Sequence, residues 1–190
     1  MKIPVIDLFA GPGGLGEGFS SYTNSSTNPF QITLSVEKDP VAHKTLKTRA
    51  LFRQFKKDIP EKYYEFLRSD KSGFSEYLGS NHFKDLLSNA ESEALNLELG
   101  PHNKDIGNLI RERLNGKDFV LIGGPPCQAY SLIGRSRMKG MVDFESDERH
   151  VLYKHYLNVI AEFKPAVFVM ENVKGILSSK LNGNKVFDKI

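Results

Sequence analysis

The sequence has a single cysteine and no tryptophan among its 190 residues. One thiol excludes an internal disulfide framework and any metal site built from a cysteine cluster, and it fits a reducing compartment. The five histidines have no metal-ligand spacing, so no metal is expected. No apolar run approaches the roughly 20 residues that span a bilayer, which leaves no expected membrane segment. The N-terminus, "MKIPVIDLFAG", enters an apolar strand pattern almost at once and gives no room for a signal peptide, so a cytoplasmic location is expected. Repeats and low-complexity tracts are absent, although "SSYTNSSTNP" is a polar loop. Charge of one sign is also scarce. A net charge of +3 permits a nucleic-acid partner without arguing for one.

What is present is an ordinary globular composition, 39% hydrophobic and 26% charged, in a chain long enough for one domain with a core. "IPVIDLF", "FQITLSVE", "DFVLIGG" and "PAVFVMEN" are short apolar, β-branched runs that read as buried strands. "DPVAHKTLKTRALFRQF" and "HVLYKHYLNVIAEF" between them have helical spacing. Strands alternating with helices predict an α/β fold, a parallel sheet with helices on both faces. Residues 50–104 interrupt this rhythm with "KKDIPEKYYEFLRSD" and "FKDLLSNAESEALNLEL", both charged and helical in pattern. They predict a helical insertion lying outside the sheet, either a solvated excursion or a DNA contact.

The loop "FAGPGGLG" places Gly11-x-Gly13-x-x-Gly16 after the first strand, and Glu37 ends the second. This spacing satisfies a dinucleotide fingerprint, but tight strand-to-helix turns recruit glycine for steric reasons alone. Asp7, just before the loop, would repel a pyrophosphate and tolerate a ligand with an ammonium and a sulfonium. S-adenosylmethionine has both, with a ribose whose hydroxyls Glu37 can meet, so a methyl donor is favoured over NAD.

The lone Cys127 stands in "GGPPCQAYSL", where two glycines and two prolines forbid a helix or central strand. A lone cysteine is commonly a small buried hydrophobe. This one, however, follows a strand whose C-terminal end is where α/β sheets place chemistry. Glu171 and Asn172, in "VMENVKG", follow another. If those two strands are neighbours, a thiol and a carboxylate face one crevice.

"DLFAGPGG", "GGPPCQAYS" and "ENV", in this order, resemble the cytosine-5 DNA methyltransferases, and the likeness covers nearly all of the chain outside the insertion. It implies a Rossmann-like S-adenosylmethionine-dependent methyltransferase fold with strand order 3-2-1-4-5, incomplete at its C-terminal edge. It also implies methyl transfer from S-adenosylmethionine to carbon 5 of a cytosine flipped out of double-stranded DNA, in a restriction-modification setting. By this resemblance Cys127 is the nucleophile that adds to carbon 6, and Glu171, buried and therefore protonated, serves ring nitrogen 3. Pro126 stiffens the approach and Asn172 completes the second motif. Phe9 packs on the adenine, while Gly11, Pro12, Gly13 and Gly14 approach the methionine part. Glu37, followed by Lys38, takes the ribose; Asp105 with Ile106 meets the adenine amino group; Leu152 supplies an apolar contact. The segment after the cysteine resembles the family's mobile loop, with Gln128 and Ser131 near the vacated base and Arg135, Arg137 and Lys139 on phosphates. A solvated basic loop is the plain alternative.

The family continues with an arginine-bearing strand, a target-recognition domain and a returning helix, none of which follows "NGNKVFDKI" here. The expectation is a catalytic portion, inactive alone, that self-associates through its sheet edge or binds a complementary polypeptide, in the cytoplasm or on the nucleoid. Other readings are a non-catalytic cofactor- or DNA-binding remnant, a split-enzyme subunit, a tRNA cytosine methyltransferase and, from the glycine loop alone, an NAD-dependent oxidoreductase.

Overall fold

The computed structural model describes residues 2–24, 27–55, 59–68, 81–100, 105–126, 152–174, 180–181 and 184–185. Strand β1 (Ile3–Leu8) runs into helix α1 (Gly14–Ser21), and β2 (Phe30–Glu37) into α2 (Pro40–Gln54). Then come α3 (Glu61–Arg68), α4 (Asn81–Glu93), β3 (Ala94–Asn96), α5 (Asp105–Leu114), β4 (Val120–Gly123), α6 (Leu152–Phe163) and β5 (Val167–Met170). A small antiparallel pair, β6 (Lys180–Leu181) and β7 (Asn184–Lys185), stands apart. The five main strands form one parallel sheet in the order β3-β2-β1-β4-β5, the order that the sequence resemblance implies.

Alternation along the strands sorts the core into two faces. Ile6 and Leu8 of β1 join Leu34, Leu121, Ile110 of α5 and Tyr156 of α6 on one face. Val5 joins Ile32 and Ile122 under Leu15 and Phe19 of α1 on the other. Farther along that second face, Leu46, Ala50 and Leu51 of α2 pack with Tyr63 and Phe66 of α3 and Phe83 of α4. Helix α2 begins where it does because Asp39 caps it: its carboxylate accepts from the Val41 and Ala42 N–H groups at 2.9 and 2.8 Å, with Pro40 at the first position.

The segment 50–104 does not lie outside the sheet, as its charge and spacing predict. Its residues Ala94–Asn96 pair with Ser35–Glu37 of β2. Ala94 packs into the α2-side core and Leu95 against the α5-side core, so consecutive residues face opposite sides as a strand requires. Nor are α3 and α4 solvated excursions, since Tyr63, Phe66, Phe83 and Ala90 are buried. No helix among the described residues is long and apolar enough to cross a membrane.

Because β1 sits between β2 and β4, the connections leave it in opposite directions and open a crevice at the C-terminal ends of these strands. The far side of β5 pairs with no strand among the described residues. Val167, Phe168 and Val169 are 53%, 50% and 38% exposed, so both faces of this edge strand are uncovered there.

Candidate active site

A cavity of about 520 Å³ occupies that crevice. Phe9 and Gly11 after β1, Glu37 and Lys38 at the end of β2, Gly124 and Pro126 after β4, and Leu152 at the start of α6 all line it. The sequence-derived residues Phe9, Gly11, Glu37, Lys38, Leu152 and Pro126 are thus brought together around one space. Pro12 and Gly13 form the turn into α1, and Gly14 is its first residue; none of the three reaches the wall. Asp105 and Ile106 open α5, where Asp105 is exposed and Ile106 packs on the core cluster; neither lines the cavity. Cys127, Gln128, Ser131, Arg135, Arg137 and Lys139 lie outside the described residues.

The loop after β1 is bent by left-handed backbone at three positions. Gly11 and Gly13 have φ of 56° and 90°, and so does Phe9 at 55°, a conformation that costs a bulky residue energy. A Cβ on Gly13 would also come within 2.8 Å of Leu46 on α2. Gly13 caps α1 without a side-chain hydrogen bond, and the Gly16 N–H of its first turn faces the buried Asp7 carboxyl.

Glu37 organises this loop. One carboxylate oxygen accepts the Gly11 N–H at 2.8 Å and the other the Asp39 N–H at 2.7 Å. Each oxygen keeps a second lone pair for a hydroxyl donor. Beyond β3, Leu97 N–H donates to the Glu37 carbonyl at 3.1 Å, and the Asn96 amide donates to the Glu37 and Lys38 carbonyls at 2.9 Å. These bonds lay Leu97, Glu98 and Leu99 along the cavity as a wall the sequence did not reveal. Its only signal was the alternation of Leu95, Leu97 and Leu99, hidden in a helix-like run. Lys38 and Glu98 form an exposed ion pair.

The strands that lead into "GGPPCQAYS" and "ENV" are neighbours: β4 pairs with β5, and Glu171 N–H donates to the Gly123 carbonyl at 2.8 Å. A Cβ on Gly124 would approach the Glu171 carboxylate to 3.1 Å, so glycine there leaves the acid its place. The Asn172 amide donates to the Pro125 carbonyl at 3.1 Å and its oxygen accepts the Val173 N–H at 2.9 Å. Asn172 therefore ties the proline turn to the end of β5. Glu171 itself is exposed among the described residues rather than buried as expected.

Asp7 lies beneath the loop, not on the cavity wall. It is fully buried, and neither carboxylate oxygen has a hydrogen bond of good geometry among the described residues. Burial raises its pKa to about 7; the Gly16 N–H and Arg53 offset this only in part, and Glu37 and Glu93 add to it. Arg53 is itself committed to Glu17 of α1 and Glu93 of α4.

The chain matches the family model for C-5 cytosine-specific DNA methylases over residues 94–190. It is 40% identical to the Type II methyltransferase M.Bpa9945I of Bacillus paralicheniformis across 98% of this chain and 43% of that protein. It is 30% identical to the Type II methyltransferase M.BspRI of Lysinibacillus sphaericus across 100% of this chain and 36% of that protein. A solved structure of the Entamoeba histolytica methyltransferase EhMeth aligns with 100% of this chain and 42% of its own, at 16% identity and a TM-score of 0.41. The chain spans less than half the length of each of these relatives.

Proposed function

The chain belongs to the C-5 cytosine-specific DNA methylase family, and from that premise we propose that it is the catalytic portion of a DNA cytosine-5 methyltransferase using S-adenosylmethionine. The observation that carries this reading is the adjacency of three pieces. The Pro125–Pro126 turn and the Glu171–Asn172 pair leave neighbouring strands, and the turn borders the cavity lined by Phe9, Gly11 and Glu37.

The cavity suits the methyl donor. Phe9, Leu97, Leu99 and Leu152 offer apolar surface to an adenine, and Glu37 has lone pairs left for a ribose diol. When bound there, S-adenosylmethionine supplies an electrophilic methyl group on a sulfonium. The chain's own residues prepare the other reactant. The Cys127 thiolate adds to carbon 6 of an extruded cytosine, moving electron density to carbon 5. Glu171, covered only once the extruded base sits against it, gives a proton to ring nitrogen 3 as the adduct forms and is left as a carboxylate. After transfer, the nitrogen 3 proton returns to the Glu171 carboxylate, and passage of the carbon 5 proton to a solvent base expels the thiolate and restores the ring.

Calorimetry on this chain tests the cofactor half of the reading, with S-adenosylhomocysteine expected to bind and NAD not. Binding of NAD alone would return the glycine loop to the oxidoreductase reading. Glu37→Ala is expected to weaken S-adenosylhomocysteine by about 1.5–3 kcal/mol, the scale of hydrogen bonds to a charged group. The variant loses the ribose acceptor and also frees the Gly11 and Asp39 N–H groups. Unchanged affinity would move the ribose elsewhere.

Because the chain covers less than half of its relatives, methylation is to be assayed with the polypeptide that completes them as well as without it. We propose that β5, whose Val167, Phe168 and Val169 are exposed among the described residues, is the edge against which that polypeptide packs and that the chain alone is inactive. For the 50–104 segment, which supplies β3 to the sheet, contact with DNA remains a proposal.

A further inference from the structure

The side chain of Tyr156, on α6, reaches both strands of the proposed catalytic pair. The residue is fully buried, and its hydroxyl lies 2.9 Å from the Val169 carbonyl on β5 and 3.3 Å from the Leu121 carbonyl on β4. A phenol has one hydrogen to donate, so the shorter contact with Val169 is the main bond and Leu121 shares it. The ring fills the space above Gly123, where a Cβ would come within 2.8 Å of ring atom Cε2 and 2.2 Å of the Leu8 carbonyl. Glycine at position 123 is therefore what lets the ring in. Val169 stands two residues before Glu171, and Gly123 two before Pro125. The rung from Glu171 N–H to Gly123 lies between this hydroxyl and the Asn172–Pro125 bond.

We propose that Tyr156 is a positioning residue whose hydroxyl clips β4 to β5 and thereby fixes Glu171 relative to the Pro125–Pro126 turn. The proposal rests on the reading of Cys127 and Glu171 as the catalytic pair. An apolar residue of similar size would fill the core equally well, but would leave the strand exits held only by the ladder and Asn172. Burial first, and the Asp7 charge second, push the Tyr156 pKa up, so the hydroxyl stays a donor across the working pH range.

The test is Tyr156→Phe, which removes the hydroxyl and keeps the ring. In this chain the Glu171 amide is expected to exchange its hydrogen about fivefold faster, the equivalent of one net hydrogen bond, with exchange at Ile6 unchanged. In the active methylase the rate of covalent capture of 5-fluorocytosine DNA is expected to fall about tenfold, a cost suited to a small misplacement, while S-adenosylhomocysteine affinity stays within about twofold. A lower Tm with unchanged Glu171 exchange and unchanged capture per folded molecule would make Tyr156 an ordinary core residue and overturn the proposal. Wild-type methylase that captures no DNA would overturn the catalytic reading, and the positioning role with it. Capture by wild type at the Tyr156→Phe rate would overturn the positioning role alone.

Discussion

A Cys127→Ser variant of the active methylase is expected to bind S-adenosylhomocysteine as the parent does and to transfer methyl groups at least roughly 10⁴-fold more slowly, the scale on which loss of a nucleophile acts. The thiolate is the reactive form, and a free thiol is a few per cent ionised near neutrality, whereas a serine hydroxyl is essentially never ionised there. Cofactor affinity should survive because Phe9, Gly11, Glu37 and Leu152, which line the cavity, are unchanged in the variant. DNA containing 5-fluorocytosine separates the nucleophile from every other explanation. The fluorine at carbon 5 cannot leave as a proton, so an enzyme that has added its sulfur and moved the methyl group stays attached. Denaturing gels should show that adduct with Cys127 and none with serine. An adduct in the serine variant would remove Cys127 from the mechanism.

Four of the five main strands were legible because each is an apolar, β-branched run stopped by glycine, proline or an acid. β3 was not. Its three residues sit at the end of "SNAESEALNLEL", whose apolar spacing suits a helix as well as a strand. Only pairing with β2 decides the matter, and pairing is not written in local sequence. The site divides along the same line. Phe9, Gly11, Glu37 and Pro126 are marked by a glycine loop and a proline turn whose chemistry is local. Leu97, Glu98 and Leu99 reach the cavity only because β3 lies beside β2, so they could not be read without it. Glu37 was legible as an acceptor, but not that it holds two backbone N–H groups before any ligand arrives. Tyr156 reads as one more aromatic at helical spacing until its hydroxyl is seen between two strands.

Replacing Asp7 by asparagine is expected to stabilise the chain above neutral pH, although it removes a motif residue. The buried carboxyl group titrates at about 7, against 3.8 for an unperturbed aspartate, chiefly because burial disfavours its charged form. The unfolded state therefore ionises more readily than the folded one. Stability contributed by protonated Asp7 is fully present below pH 3.8, is lost as the pH rises toward 7, and is level beyond. At about 1.4 kcal/mol per pH unit the full interval amounts to about 4 kcal/mol, of which about 2–3 kcal/mol falls between pH 5 and pH 8. Urea unfolding at those two pH values should show the parent weakening by that amount. Asp7→Asn should be more stable than the parent at pH 8 and nearly as stable at pH 8 as at pH 5. Whatever slope it retains belongs in part to Glu93, whose pKa burial also raises against the pull of Arg53. The groups facing Asp7 do not rescue its charge: Arg53 is already paired with Glu17 and Glu93, and Glu37 repels it. A carboxylate kept at such a cost beneath the glycine loop suits a ligand bearing positive charge, so the stabilised variant should bind S-adenosylmethionine less well. An Asp7→Asn chain less stable than the parent at pH 8 would mean that the carboxylate is well paired in solution, and this account of its charge would fail.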